Sequence, residues 1–252
     1  MKIIRCSSNQ RLTKLINKAR YYYRKATGDI FLNKYIYYPK EFLNEEDDVT
    51  DVFTKIYSKK IWVSKESVSG KGSEIEHTKK LLRKLGRLLK DLEVKSMLDA
   101  PCGDFNWMQH LDKTGIDYTG MDIVEDLIKS LQLKFGQVPG LTFQVGNIIE
   151  NDLPRVDLIF CRDCLAHLPF DDIKKALINF KNSGSRYLLT TTYIHRGSNF
   201  DIKAGGWRAI NLEKPPFNFP KPIKVIWEDN LDDFGMYHDK CMGLWDLSEI
   251  KI

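Results

Sequence analysis

The sequence has no apolar run near the roughly 18 residues a membrane-spanning helix needs. Its opening, MKIIRCSSNQ, holds too short an apolar segment to act as a secretory signal. Five cysteines, an odd count without a regular framework, argue against a disulfide-stapled scaffold and for free thiols in a reducing, cytoplasmic setting. Internal repeats, low-complexity tracts and a linker convincing enough to split the chain are absent, as is the G-x-x-x-x-G-K-[ST] spacing of a P-loop. Acidic residues are missing from the first 25 positions, which hold eight basic ones. Residues 1–95 carry 22 Lys+Arg against 12 Asp+Glu, and the remainder is acidic on balance. Such an arm suits nucleic acid, an anionic surface or an acidic partner, or it is a solvated face with Tyr21, Tyr22 and Tyr23 packed inward.

What is present is the making of one α/β domain. In 252 residues, 42% hydrophobic and 12% aromatic content supports an ordinary core. The organising stretch is Ser96–Asp104, SMLDAPCGD: an apolar run ends at Asp99 and gives way to a small-residue turn holding Gly103. A helical pattern over Phe105–Leu111 follows, then a second strand ending at Asp122. Strand, turn, helix, strand and a carboxylate about 20 residues on is the layout of a nucleotide-binding βαβ unit. A dinucleotide fingerprint would need three glycines, yet the matching positions are Pro101, Gly103 and Phe105. Proline removes a donor and phenylalanine blocks close approach, so a pyrophosphate fits poorly. Asp99 at the mouth of the loop would repel a phosphate and suits a ligand with a cationic end.

With its DxPCGD loop, this stretch resembles the first motif of the class I S-adenosylmethionine-dependent methyltransferases. The resemblance implies S-adenosylmethionine as cofactor, bound by Asp99, Ala100, Pro101 and Gly103 after the first strand. It places the ribose on Asp122, next to Ile123, and the adenine near Gly146, Asn147 and Ile148. The Ser/Gly-rich loop Ser64–Ser73 would close over the amino-acid end through Ser69, Gly70 and Ser73, with Arg162 nearby. The fold implied is a three-layer Rossmann-like α/β core with a seven-stranded, mostly parallel sheet and a C-terminal antiparallel hairpin. An N-terminal helical extension over 1–92 precedes a core over 93–252.

The residues themselves show alternation. Strands are expected at Lys95–Asp99, Asp117–Asp122, Leu141–Val145, Asp157–Cys161, Arg186–Thr192, Ile223–Glu228 and Cys241–Leu247, with helices at Glu74–Leu92, Val124–Phe135 and Asp171–Phe180. The last two strands have no helix between them and should pair as a hairpin. The acidic run Glu45–Asp48 should open a further helix carrying Val52, Phe53 and Ile56.

Ligands on open α/β sheets sit at the carboxyl ends of strands. Strand four ends in Cys161-Arg162-Asp163-Cys164-Leu165-Ala166-His167. Cys161 and Cys164 form a C-x-x-C with no second ligand pair, so no metal is expected. Asp163 and His167 stand four apart, where a carboxylate could fix an imidazole's tautomer and make a general base; His195 is a third candidate. A long connection before strand six holds Asn199, Trp207 and Arg208, a possible sugar platform with Tyr193, Asp104 and Trp107, or simply cover for the sheet edge. The RDxLxHL, TTTY and GGWRxxNL stretches resemble a microbial and viral group of methyltransferases associated with glycan modification, which implies a sugar-hydroxyl acceptor, such as a rhamnose-like deoxyhexose. The rival readings are an RNA methyltransferase using the basic arm, a non-catalytic binding module and an NAD(P) dehydrogenase.

Overall fold

The computed structural model describes residues 46–62, 64–228 and 237–252. The basic arm, its tyrosines and the aromatic-rich Phe31–Phe42 stretch lie outside the described residues. Among the described residues, four α-helices and seven strands follow in chain order: α1 (Val49–Ser58), α2 (Ile75–Asp91), β1 (Ser96–Asp99), β2 (Asp117–Asp122), α3 (Glu125–Phe135), β3 (Leu141–Val145), β4 (Leu158–Cys161), α4 (Phe170–Asn182), β5 (Tyr187–Tyr193), β6 (Lys224–Trp227) and β7 (Lys240–Asp246).

The strands form one sheet in the order β3-β2-β1-β4-β5-β7-β6. The pairs β1–β2, β2–β3, β1–β4 and β4–β5 are parallel, whereas β7 runs antiparallel to both β5 and β6. This is the Rossmann-like methyltransferase architecture with its terminal hairpin. The order reverses at β1, whose two neighbours are β2 and β4, and a crevice opens there beyond the strand ends.

Successive strand residues feed opposite faces. Met97, Leu158, Phe160, Leu189 and Leu244 join the core under α2 and α3. Leu98, Ile159, Leu188 and Trp245 join the core under α4 and the segment that follows β5. In α2, buried Leu81, Leu85, Leu88 and Leu89 repeat at helical spacing, with Lys79, Arg83 and Arg87 on the exposed side. In α1, Asp48 is the N-cap, its carboxylate accepting the Asp51 N–H at 2.8 Å.

One expected element is absent. Phe105–Leu111 is not a helix but a loop with a single 3₁₀ turn over Met108–His110. Phe105, Trp107, Met108 and Leu111 are all buried, while His110 is exposed and Asn106 and Gln109 are half-buried. Phe105 also takes a left-handed backbone (φ 58°), which ends helical propagation before it starts.

Candidate functional site

A cavity of about 670 Å³ opens at the carboxyl ends of β1, β2, β4 and β5 and is closed over by α1 and the 67–73 loop. That volume lies within the usual range for a cofactor or drug-sized ligand. Two ends can be distinguished by the groups that line them.

The first end is built by β1 and β2. Asp122 terminates β2 with both carboxylate oxygens engaged: Gly103 N–H donates to Oδ2 and Val124 N–H to Oδ1, each at 3.0 Å. Each oxygen keeps a second lone pair for a ligand hydroxyl. Burial pushes Asp122 up to about 6, against the pull of those amides. Asp99 accepts the Tyr118 hydroxyl at 2.5 Å, and burial raises it to about 7 even so, with Asp122 adding to the rise. Two buried carboxyls therefore face one cavity with their protons held more tightly than usual, and a ligand group that favours the carboxylate would draw each toward its charged form.

Gly103 must be glycine here on two counts. Its φ is +54°, and a Cβ would stand 2.4 Å from the Ser69 hydroxyl. Ser69 Oγ in turn accepts the Asp104 N–H at 3.2 Å, Asp104 Oδ2 accepts the Val68 N–H at 2.9 Å, and Asn106 Nδ2 donates to the Ser73 carbonyl at 3.1 Å. The Ser/Gly-rich loop is thus pinned to the turn after β1. Asp99, Pro101, Gly103, Asp122, Ile123, Gly146, Asn147 and Ile148 all line the cavity, as do Ser69, Gly70, Ser73 and Arg162 from the loop side. Ala100 does not; it is fully buried in the core, its N–H donating to the Phe160 carbonyl at 2.9 Å. Asn147 uses its side-chain oxygen on the Ile149 N–H at 2.9 Å.

The second end lies beyond β4 and β5. Asp163 and His167 both line it, but no hydrogen bond joins them. The four-residue spacing expected a helical turn; instead Asp163 has a left-handed backbone (φ 52°) and only Leu165–His167 forms a 3₁₀ turn. Asp163 Oδ2 accepts Lys240 Nζ at 2.5 Å and pairs with Arg162 Nη1 at 3.2 Å. Burial would raise its carboxyl, but the Lys240 ammonium and Arg162 guanidinium hold it well below the usual range. His167 instead bonds through Nδ1 to the Gly206 carbonyl at 2.7 Å. A carbonyl only accepts, so Nδ1 carries the proton and Nε2 keeps its lone pair. Burial pushes the imidazole down to about 4, leaving it neutral near pH 7. The ring stacks against Trp62 at 4.5 Å, and Tyr193, Trp207 and Tyr237 form an aromatic wall with centroids 4.9–6.2 Å apart.

Three expected site residues stand elsewhere. His195 is outside the cavity lining, its ring near Trp227 and His238 at 5.9 and 5.8 Å. Asn199 spends its amide on the Asn211 and Pro215 carbonyls, at 2.8 and 2.9 Å, closing the long connection on itself. Arg208 donates to the carbonyls of Phe200, Leu165, Ala166 and Leu168, at 2.9–3.0 Å, and so holds the turn that carries His167. Trp107 lines the cavity but is itself mostly buried, with the Arg162 guanidinium 5.5 Å from its ring. Sequence reasoning missed Trp62, Tyr237 and Lys240. The last had a readable signal: extending the final strand by one residue places Lys240 opposite Tyr193 across the hairpin. Among the described residues no group of three or more His, Cys, Asp or Glu could hold a metal ion.

Residues 98–183, about a third of the chain, match the family described as a methyltransferase domain. Among solved structures, the chain is similar to the N-methyltransferase NodS of Bradyrhizobium japonicum in complex with S-adenosylhomocysteine, at 12% identity over 79% of this chain and 98% of that one, with a TM-score of 0.55. It is also similar to the 1,6-didemethyltoxoflavin-N1-methyltransferase of Burkholderia thailandensis, at 15% identity over 79% and 86%, with a TM-score of 0.54. The methyltransferase domain of bacterial CtHen1 gives 15% identity over 68% and 98%, with a TM-score of 0.51. At these identities the likeness is one of fold. No curated protein matches the sequence. The residues of the first end fit S-adenosylmethionine: two buried carboxyls suit its cationic and ribose parts, and the Gly103 turn leaves backbone rather than side chain against the cavity.

Proposed function

We propose that this methyltransferase moves a methyl group from S-adenosylmethionine to a hydroxyl of a sugar. When bound, the cofactor supplies an electrophilic methyl group on a positively charged sulfur. Asp122 is assigned to the ribose hydroxyls and Asp99 to the cationic end. The pinned Ser69–Ser73 loop covers the amino-acid portion and keeps water out.

His167 is the base. The observation that carries this is its tautomer: Nδ1 is committed to Gly206, so the unprotonated Nε2 is the atom left to the cavity. A neutral imidazole with a low affinity for protons is adequate here, because an alcohol's proton becomes strongly acidic as its oxygen forms the new bond. Asp163 is not the base, since two cations already hold its charge. Alignment and desolvation contribute the larger part of the acceleration. Trp207, half-buried at the cavity wall and backed by the buried Tyr193, offers an apolar ring for the CH surface of a sugar, which supports the acceptor class together with the glycan-methyltransferase resemblance in RDxLxHL and GGWRxxNL.

The test is methyl transfer from labelled cofactor to a panel of methyl glycosides, an RNA oligonucleotide and a protein substrate, run beside His167→Ala. Transfer to a sugar, with turnover in the variant lowered about 100- to 10,000-fold, is expected for a lost general base. Transfer to RNA or protein and to no glycoside refutes the acceptor. Unchanged turnover in the variant refutes the base.

A further inference from the structure

Four charged side chains form a closed ring at the acceptor end of the cavity. Lys240 Nζ lies 2.5 Å from Asp163 Oδ2 and 3.4 Å from Glu228 Oε2. Arg162 completes the ring, with Nη1 3.2 Å from Asp163 Oδ2 and Nη2 2.6 Å from Glu228 Oε2. Glu228 and Arg162 have side chains 1% and 5% exposed, and the ring is formally neutral. Taking four charges out of water costs several kcal/mol per ion before their attraction is counted, and packed apolar residues would fill the space as well. A stability role alone therefore explains the ring poorly.

Its open side explains it better. Asp163 is the exposed member at 26%, and Lys240, Arg162 and Asp163 all line the cavity. An ammonium has three N–H donors, and Lys240 shows two carboxylate neighbours. Asp163 Oδ1 has one weak donor, the Thr191 hydroxyl at 3.4 Å. A spare donor and a spare acceptor thus sit side by side on the cavity wall. A neutral group that both accepts and donates satisfies the two, and on the sugar reading that group is an alcohol, which accepts from Lys240 and donates to Asp163. A carboxylate or phosphate would face Asp163, and an ammonium would face Lys240.

We propose that Lys240 and Asp163 bind the hydroxyl neighbouring the one that is methylated, so that the acceptor is a neutral vicinal diol. This rests on the sugar-hydroxyl reading above and narrows it. Arg162 and Glu228 are positioning residues: they hold the pair in its charged state, and Arg162 Nη2 also reaches the Gly72 carbonyl at 3.1 Å, tying the diol subsite to the loop over the cofactor. His167 takes the proton of one hydroxyl while the pair holds the other. The cavity thus reads two adjacent oxygens with separate residues.

The experiment uses the full chain and the methyl glycoside that turns over best, with its monodeoxy analogues as probes. A charge-assisted hydrogen bond is worth about 1.5–3 kcal/mol, about a 10- to 100-fold change in KM. Wild-type enzyme should discriminate against the analogue lacking the neighbouring hydroxyl by that factor. Lys240→Met should lose the discrimination: KM for the diol rises to that of the analogue, and the analogue's own KM moves less than about threefold. Cofactor affinity by calorimetry should stay unchanged. Lys240→Arg, which keeps charge and donors, should restore part of the discrimination and serves if Lys240→Met does not fold. Equal discrimination in wild type and variant, or a fall in cofactor affinity matching the rise in KM, overturns the assignment. Cofactor binding with no transfer to any glycoside overturns the sugar acceptor and the diol with it, whereas transfer without diol discrimination overturns the diol alone.

Discussion

Binding of S-adenosylmethionine should expel protons from the enzyme, and the amount follows from two side chains. Burial holds Asp99 near 7 and Asp122 near 6, because each carboxylate lies out of water, with Asp122 adding to the rise at Asp99 and Asp104 to the rise at Asp122. At pH 7, Asp99 is then about half protonated and Asp122 about one-tenth. The cationic end beside Asp99 and the ribose hydroxyls donating to Asp122 each favour the ionised form, so about 0.6 proton should be released per cofactor bound at pH 7, and about 1.4 at pH 6. The sign follows directly: protons compete with the ligand, so affinity rises with pH. Between pH 6 and pH 7 the increase should be about tenfold, or about 1.4 kcal/mol. This window stays below the range near 8 where the ligand's own amino group begins to titrate.

Calorimetry in buffers of different ionisation enthalpy reads the proton count directly, and Kd at each pH reads the linkage. Asp99→Asn keeps an acceptor for the Tyr118 hydroxyl and removes the larger titration. It should reduce the pH effect from about tenfold to about twofold, the share left to Asp122. Affinity that is flat from pH 6 to pH 7, with no buffer-dependent heat, would show that Asp99 does not face the cationic end nor Asp122 the ribose and would undo the placement of the cofactor.

Other changes act through packing and polar satisfaction. Arg208→Met removes the side-chain donor of four backbone carbonyls, leaving Ala166 and Leu165 only the backbone amides of residues 208 and 168, and should cost about 3 kcal/mol in denaturant unfolding; turnover should fall with it, because the freed turn carries His167. Equal turnover at temperatures where the variant is folded would separate Arg208 from the placement of His167. Arg196→Leu strands Asp239, its bidentate partner at 2.8–2.9 Å in the core, and should lower stability by about 3–5 kcal/mol by chemical denaturation. Gly243→Ala drives a methyl group into the Trp245 ring, 2.2 Å away, and should cost about 1–3 kcal/mol, seen as a lower unfolding midpoint.

Much of the fold was legible because burial on both faces of a parallel sheet leaves a continuous apolar mark. Leu158–Cys161 and Tyr187–Tyr193 are buried almost throughout, and they read as strands without any help from alternation. The stretch that misled was Phe105–Leu111. Its apolar spacing is helical, but spacing cannot reveal the left-handed backbone at Phe105 (φ 58°), whose ring is held among Tyr118, Phe135 and Phe143. The first end of the cavity was likewise legible: its residues come from consecutive strand ends, and a glycine between two carboxylates records the close approach. Asn199 and Arg208 looked like ligands because polar residues in a long loop usually signal function. In this loop they satisfy the backbone that a buried connection would otherwise leave unpaired.

The acceptor end was hidden for a different reason, which bears on the chemistry. Asp163 and His167 stand four residues apart, and nothing local says they will not pair. What separates them is Lys240, 77 residues downstream on the one strand that runs against the others. The antiparallel return of β7 beside β5 brings an ammonium to the end of β4, where it takes the carboxylate that the imidazole might have used. On the function proposed above, the consequence is a division of labour: His167, turned by Gly206, would keep a free nitrogen for a proton, while Asp163, fixed as an anion, would keep an oxygen for a hydrogen bond. Had the two formed a dyad, the cavity would hold one stronger base and no fixed acceptor for a second hydroxyl. On that reading the terminal hairpin, the least nucleotide-like part of the sheet, would set which atoms of a substrate the enzyme reads.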